Sequence, residues 1–506
     1  MTAPPRSLLL VSLAAMLATM LYAVDSTIVN VALPHMQGTL QATQDQAAWI
    51  VTSYIVISAI ATPLAGWLAT RFGLRAVLSI AIAGFTVGSV LCGIATDLTE
   101  IVVFRMVQGA FGAALVPLSQ VVLLREFPRE KHARVMALWG MGVMVGPVIG
   151  PTLGGWLTDS WSWRWAFFIN VPIGAIAWLS LMASLPKSAP DSRRPFDLTG
   201  FVLLSAALGL FQLMLDRGQT VDWFQSTEIV GYAFFSAVAM YMFVVHSLTG
   251  VHPFVDIHLF KDRNFTVSLV VMFAIGIAVI SPSVLLPSFL QQLKGYTPTQ
   301  AGWLVASRGL SAIVAMMVGA RLTTTIGPRP TMLIGITLAA ISLAIMGGFS
   351  VDTPESTIIW AGAIQGFGTP LTFMPLTMVG FSTLPDHART EAGSLQTLLR
   401  NIGASVGVSA TVAMLARSAQ VNQSYLVEHF TPYDVARWTA IGSEPGANAA
   451  TAGLLGEIGR QASSIGYAND FYLLAAVTVA TLPLLLLLRS RGAAIAKPAI
   501  TADAGH

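Results

Sequence analysis

An aspartate interrupts the first apolar stretch of this 506-residue chain. Leu8 to Ala23 carry no charge, and Asp25 then stands within Val24-Asp25-Ser26-Thr27-Ile28-Val29-Asn30-Val31-Ala32-Leu33-Pro34. A carboxylate in hydrocarbon costs roughly 2.5–3.5 kcal/mol even on the milder insertion scale, so such a residue usually faces a cavity and handles protons, ions or substrate. The other reading is a structural acid paired with a neighbouring helix. Arg105, inside the fourth apolar stretch, is the natural partner. At 1.5 Å per residue, Asp25 lies about 12 Å and Arg105 about 8 Å below the same membrane surface. Burial favours the neutral acid and a nearby guanidinium favours the carboxylate. A proton carrier and a static Asp25–Arg105 bridge therefore both stand as readings.

Two more arginines fall mid-segment with no obvious acid, Arg308 and Arg400. Gln396 and Asn401 lie close enough in sequence to satisfy Arg400 through amides and carbonyls. The alternative is a cationic anchor for weakly acidic amphiphiles. Gln365, Phe373 and Met374, with Asn30, Tyr54 and Gln108 opposite, are expected to line a loose, adaptable substrate cavity. Gly142, Gly146, Gly150 and Gly154 repeat every four residues on one helical face, interrupted by Pro147 and Pro151. Such a smooth, bent face suits either a sliding interface or plain close packing.

These residues need long apolar helices to hold them. The composition is 55% hydrophobic and 10% charged, with a mean hydropathy of +0.71, whereas soluble proteins carry about 25% charged residues. A polytopic all-α membrane protein follows. A net charge of +3, with Lys and Arg scattered between apolar segments, gives no footing for nucleic acid. One cysteine, Cys92, excludes an intrachain disulfide and a Cys-based metal cluster. Neither a P-loop nor a His-Glu-x-x-His motif is present, and an intramembrane enzyme lacks its His, Ser or Cys constellation.

Apolar segments fall near 8–33, 47–69, 76–96, 101–124, 133–157, 166–185, 198–215, 228–249, 267–290, 299–320, 331–350, 356–382, 391–415 and 471–489, giving fourteen expected spans. The first, preceded only by Arg6 and without a small-residue cleavage site, reads as an uncleaved span. Most of the 27 Lys and Arg, among them Arg71, Arg75, Arg125, Arg134 and Arg263, fall on the side of the termini; Arg164, Arg217, Lys294, Arg417, Arg437 and Arg460 fall on the other. The positive-inside rule places both termini in the cytoplasm.

Features recur at a common offset. The loop Gly66 to Arg75, with Gly66, Arg71, Gly73 and Arg75, has a degenerate echo at Ala320 to Arg329; Gln108-Gly109 recurs as Gln365-Gly366, and Gly146 and Gly150 as Gly403 and Gly407. The reading is a six-helix bundle over 1–186, a linker and two extra helices over 187–264, and a second six-helix bundle over 265–490. That second bundle carries a long outer loop at 416–470, and 491–506 forms a disordered tail. Paired bundles with a path between them are transporter architecture.

At these residues the chain resembles the fourteen-helix drug:proton antiporters of the major facilitator superfamily, the EmrB/QacA-type branch. The resemblance rests on Asp25-x-Thr27-x-x-Asn30-x-Ala32-Leu33-Pro34, Arg105-x-x-Gln108-Gly109-x-x-Gly112 and Gly146-Pro147-x-x-Gly150-Pro151-x-x-Gly154-Gly155. Trp163-Arg164-Trp165-x-Phe167-x-Ile169-Asn170-Val171-Pro172 and Leu215-Asp216-Arg217-Gly218 resemble the EmrB members in particular. One departure is Thr70, where the family loop carries an aspartate. The resemblance implies the major facilitator fold and proton coupling at Asp25 with Arg105 as modulating partner. It also implies energy from a proton gradient without a cofactor, and efflux of hydrophobic toxic molecules across a bacterial inner membrane. A periplasmic adaptor and outer-membrane channel come with it as expected partners. A dedicated exporter of one metabolite, fatty acid or siderophore, and a non-transporting membrane sensor or scaffold, are the rival readings.

Overall fold

The computed structural model describes residues 8–128, 131–186, 196–250, 253–385, 388–428 and 447–488. These fold into α1 (Leu8–Thr39), α2 (Gln44–Phe72), α3 (Leu74–Ile94), α4 (Leu98–Gly112), α5 (Leu115–Glu126), α6 (His132–Ser160), α7 (Trp165–Phe168), α8 (Asn170–Ser184), α9 (Leu198–Gly218), α10 (Thr227–Thr249), α11 (Arg263–Gln292), α12 (Pro298–Thr325), α13 (Pro328–Gly347), α14 (Glu355–Ser382), α15 (Arg389–Glu428), α16 (Ala447–Ala480) and α17 (Leu482–Leu487). Among the described residues there is no strand. Among the described residues twelve helical stretches are long and apolar enough to cross a membrane, so the chain is a multi-pass membrane protein. The 28-residue α14 is not among the twelve because Gly, Pro and Thr dilute its apolar content, and the 29-residue α6 contains side chains outside those described.

Local signals explain the helix ends, and they come in pairs. Thr43 and Gln46 form a reciprocal capping box at the start of α2; Thr297 and Gln300 form the same box at the start of α12. The turns that follow these helices pass through Gly73 at φ +89° and Gly327 at φ +93°, a backbone region that side-chain-bearing residues rarely adopt. Arg71 lies in the last turn of α2, where the helix dipole favours a cation, and Arg75 donates to the Met182 carbonyl at 2.9 Å. Gly66 contributes its carbonyl to the Thr70 hydroxyl, at 3.1 Å.

Packing repeats as well. α1 lies along α6 as α11 lies along α15, and α4 sits on α2 and α3 as α14 sits on α12 and α13. The pair α9–α10 packs on itself, and α9 also touches both α2 and α15. Three apolar cores result. One, at the end where α1 begins (the near end), combines both series of helices, with Leu118, Val121, Met136 and Trp139 beside Phe265, Met316, Phe373 and Leu395. At the far end the cores are separate. Val24, Ile28, Met36, Ile50 and Phe167 form one; Leu286, Phe289, Met346, Phe349 and Phe471 form the other.

Three differences from the sequence reading stand out. The expected span 101–124 is two helices broken at Ala113–Ala114, and 166–185 is broken at Ile169. The segment 416–470, expected as a loop, is helical wherever it is described, because α15 runs on to Glu428 and α16 already starts at Ala447. Ala, Gln and Ser suit a helix that rises beyond the apolar layer as well as they suit a loop. Residues 187–195, 429–446 and the tail 491–506 lie outside the described residues.

Candidate functional site

Helices α1, α2, α4, α6 and α8 converge on Asp25. The glycine row of α6 lets α1 approach closely. A methyl group at Gly142 would stand 2.8 Å from the Met16 carbonyl oxygen, one at Gly146 would meet the Ala23 carbonyl, one at Gly150 the Thr27 hydroxyl, and one at Gly154 Ile28 Cγ1 at 2.7 Å. Thr27 Oγ1 donates to the Gly146 carbonyl at 2.9 Å, pinning α1 two residues beyond Asp25. Pro147 and Pro151 lie inside the same helix; their side chains are not among those described. On α4, Gly109 permits contact with the Tyr54 carbonyl of α2, 2.7 Å from where a methyl would sit.

The carboxylate so placed is fully buried, and Arg105 is 1% exposed. Arg105 Nη1 donates to Asp25 Oδ2 at 2.7 Å. Gln108 Nε2 and Asn170 Nδ2 donate to Oδ1 at 2.8 and 3.1 Å. Arg105 also donates from Nε to the Ile50 carbonyl at 3.1 Å and from Nη1 to Gln108 Oε1 at 2.7 Å, and its guanidinium lies 4.0 Å from the Tyr54 ring centroid. Asn170 in turn donates to Ser89 Oγ at 2.9 Å. Three donors from α4 and α8 thus hold one carboxylate of α1. Such a buried pair is favourable only while intact, since removing either charge strands the other. Discharging the bridge would leave Arg105 without its counter-charge. The Tyr54 hydroxyl and Asn170 Oδ1 are buried without a partner among the described residues.

The second series of helices lacks this site. Gly403 meets the Phe273 carbonyl as Gly146 meets that of Ala23, which makes Ile275 the counterpart of Asp25. Gln365 corresponds to Gln108, and Gly362 to Arg105. Gln365 Nε2 reaches only the Ala278 carbonyl, at 3.4 Å, and its Oε1 has no partner among the described residues.

The expected cavity lining is not an open wall. Tyr54, Gln108, Gln365, Phe373, Met374 and Gln396 are all buried, because the halves share their core at this level; the Asn30 side chain is not among those described. Tyr54 and Gln108 serve the Asp25 cluster instead. Gln396 donates to Ser268 Oγ at 3.0 Å and Asn401 to the Tyr22 hydroxyl at 3.5 Å, so both amides are turned to other partners than Arg400. The Arg400 guanidinium stands 5.8 Å from the Phe373 ring centroid, and Phe373 stacks on Trp139 at 5.7 Å and 13°. Arg308 is satisfied locally by Ser283 Oγ at 2.8 Å and the Val279 carbonyl at 2.6 Å. Sequence reasoning assigned no role to Asn170, Ser89, Tyr22 or Trp139. The one available signal was Asn170 itself, a polar residue at the start of an apolar helix. The Tyr22 ring lies 6.1 Å from that of Tyr54, tilted by 35°, so an aromatic chain leads from Arg105 toward the Arg400 region.

The Major Facilitator Superfamily model matches residues 15–408. The chain is 38% identical over 434 residues to the multidrug export protein EmrB of Haemophilus influenzae, covering 85% of this chain and 84% of that one. It is 37% identical over 424 residues to the fatty acid resistance protein FarB of Neisseria gonorrhoeae, covering 84% of each. In fold it is similar to the human organic anion transporter MFSD10, with a TM-score of 0.62 at 13% identity, covering 96% of this chain and 100% of that one. On the length of these matches and the motifs they span, the chain belongs to the major facilitator superfamily of transporters, in the EmrB/QacA-type drug:proton antiporter family.

Proposed function

We propose that this transporter exports hydrophobic, toxic small molecules, including weakly acidic amphiphiles, across a bacterial inner membrane in exchange for protons. The observation that carries the reading is the sealed Asp25 site. One carboxylate, held by Arg105, Gln108 and Asn170 from two other helices, must loosen at least one of these bonds to take a proton. Proton loading is thereby tied to helix movement. The near end is cytoplasmic on the distribution of Lys and Arg, and both termini lie there. The twelve candidate spans together with α6 and α14 make fourteen, divided into 1–186, the inserted pair within 187–264, and 265–490. A core shared at the near end and divided at the far end speaks for an outward-facing conformation of an alternating-access cycle. The glycine rows of α6 and α15 are the surfaces on which α1 and α11 shift. Likeness to EmrB supports a periplasmic adaptor and an outer-membrane channel as partners, with the far ends of α15 and α16 as the docking side.

A narrower reading, export of one acidic amphiphile such as a fatty acid, is favoured by the Arg400 guanidinium beside the Phe373–Trp139 stack. The test of the main reading uses everted vesicles. Adding drug should move protons in vesicles carrying the parent chain, and Asp25→Asn should abolish that movement while the protein remains inserted and folded. Proton movement equal to the parent in Asp25→Asn would remove Asp25 from the coupling.

A further inference from the structure

A second carboxylate is buried in this chain. Asp470, on α16, is 0% exposed, and neither of its oxygens has a hydrogen-bond partner among the described residues. The contrast with Asp25, held by three donors, is complete. Its surroundings are the far-end core of the second series, in which Tyr467, Phe471 and Leu474 of the same helix take part. An ionised carboxylate without partners in such a place carries a desolvation penalty of several kcal/mol and takes up a proton instead. Its charged neighbours do not offset that penalty. Tyr467, one turn earlier, is the titratable group in electrostatic contact. α11 and α13 carry charge only at their near-end starts, Arg263 and Arg329, and α17 carries none. Gly466 of α16 meets Leu415 and Ser418 of α15, so α15 passes Asp470 between Arg400, several turns away, and Arg417, whose side chain is exposed.

One polar side chain beside Asp470 reaches the far end. Tyr467 is 2% exposed, and its hydroxyl donates to Gln292 Oε1 at 3.4 Å. Gln292 is the last residue of α11 and is exposed. The hydroxyl is both donor and acceptor but is not bonded to Asp470 in this conformation, so a proton from solvent at the Gln292 end reaches the acid when the Tyr467 side chain swings or a water bridges the gap. We infer that Asp470 is a second proton-binding site of this chain, occupied in the conformation described and exchanging with the far side through Tyr467 and Gln292. The inference is independent of what the protein carries and of any role for Asp25.

Infrared spectra of the full chain in lipid test it directly, because a protonated carboxyl absorbs apart from a carboxylate. At neutral pH the parent should show a protonated-acid carbonyl band that Asp470→Asn removes and Asp25→Asn retains. Asp470→Glu, which keeps the acid, should shift the band without removing it, and serves if the asparagine variant does not fold. On transfer to heavy water the band should shift by deuteration, and Tyr467→Phe should slow that shift at least tenfold. A spectrum of Asp470→Asn identical to the parent's overturns the proposal, as does equally fast deuteration in Tyr467→Phe.

Discussion

Gly146→Ala adds one methyl group at the point where α6 comes closest to the backbone of α1. That methyl would meet the Ala23 carbonyl oxygen and carbon, which belong to the backbone, so no side chain can rotate out of the way. The axes of α1 and α6 must separate, and the bond from Thr27 Oγ1 to the Gly146 carbonyl, 2.9 Å in the parent, is stretched with them. Overpacking of this kind costs about 1–3 kcal/mol, and the lost hydrogen bond adds about 0.5–1.5 kcal/mol. Gly154→Ala meets chiefly the flexible Ile28 side chain, at 2.7 Å, and should cost about 1 kcal/mol or less. Gly456→Ala meets nothing within 4 Å and should gain about 1 kcal/mol from helix propensity. Thermal melts in detergent should therefore rank Gly456→Ala, parent, Gly154→Ala and Gly146→Ala in falling order. Because Asp25 sits two residues beyond Ala23 on the displaced helix, drug-driven proton movement should fall further in Gly146→Ala than its melting temperature predicts. A Gly146→Ala protein as stable as Gly456→Ala would refute the contact, and parallel loss of stability and transport would leave packing as the row's whole role.

Arg400→Gln should weaken binding of an acidic ligand on the order of tenfold to a hundredfold relative to a cationic dye, the loss expected for one charge-assisted hydrogen bond. Arg308→Gln, which disturbs bonds to Ser283 and Val279, should affect both ligands alike. Trp139→Ala removes one ring of the stack that joins the halves at the near end, at about 3–5 kcal/mol; a Met136→Cys reporter in a Cys92→Ala background should then react faster with maleimide, and an unchanged rate would show that the stack does not hold that end shut. Asp197, at the start of α9, loses solvation, which raises its carboxyl, but bonds from the Gly200 and Phe254 amides and His246 hold it below the usual carboxylate range. Its stabilisation is present above about pH 3.9, the unfolded value, and is lost as pH falls through the lower folded value. Asp197→Ala should accordingly melt below the parent at neutral pH, with a gap that closes below about pH 4.

Asp25, Arg105 and Gln108 were legible in the sequence because polar groups in apolar segments are few and helical rise fixes their depth. Asn170 was not, since nothing in Ile169-Asn170 announces that the chain breaks there and turns the amide inward. The break at Ala113–Ala114 was equally silent, alanine being the strongest helix former. Asp470 was hidden by a boundary: a span begun at 471 leaves it in a loop, whereas α16 extends well past it. The cavity lining was misjudged for a different reason. Facing residues are readable from helical spacing, but whether two faces are apart or together belongs to the conformation.

An apolar core common to both halves at one end and divided at the other sets the heat capacity of the cycle. Each Å² of apolar surface newly wetted adds about 0.45 cal/K/mol. If the near-end core parts while the two far-end cores merge, as much surface is dried as is wetted, and the balance between the two end states shifts almost linearly with temperature. An intermediate open at both ends has no such compensation. Its population should therefore respond to cooling and warming with a curvature the end states lack, and that curvature distinguishes a leak from a completed turn.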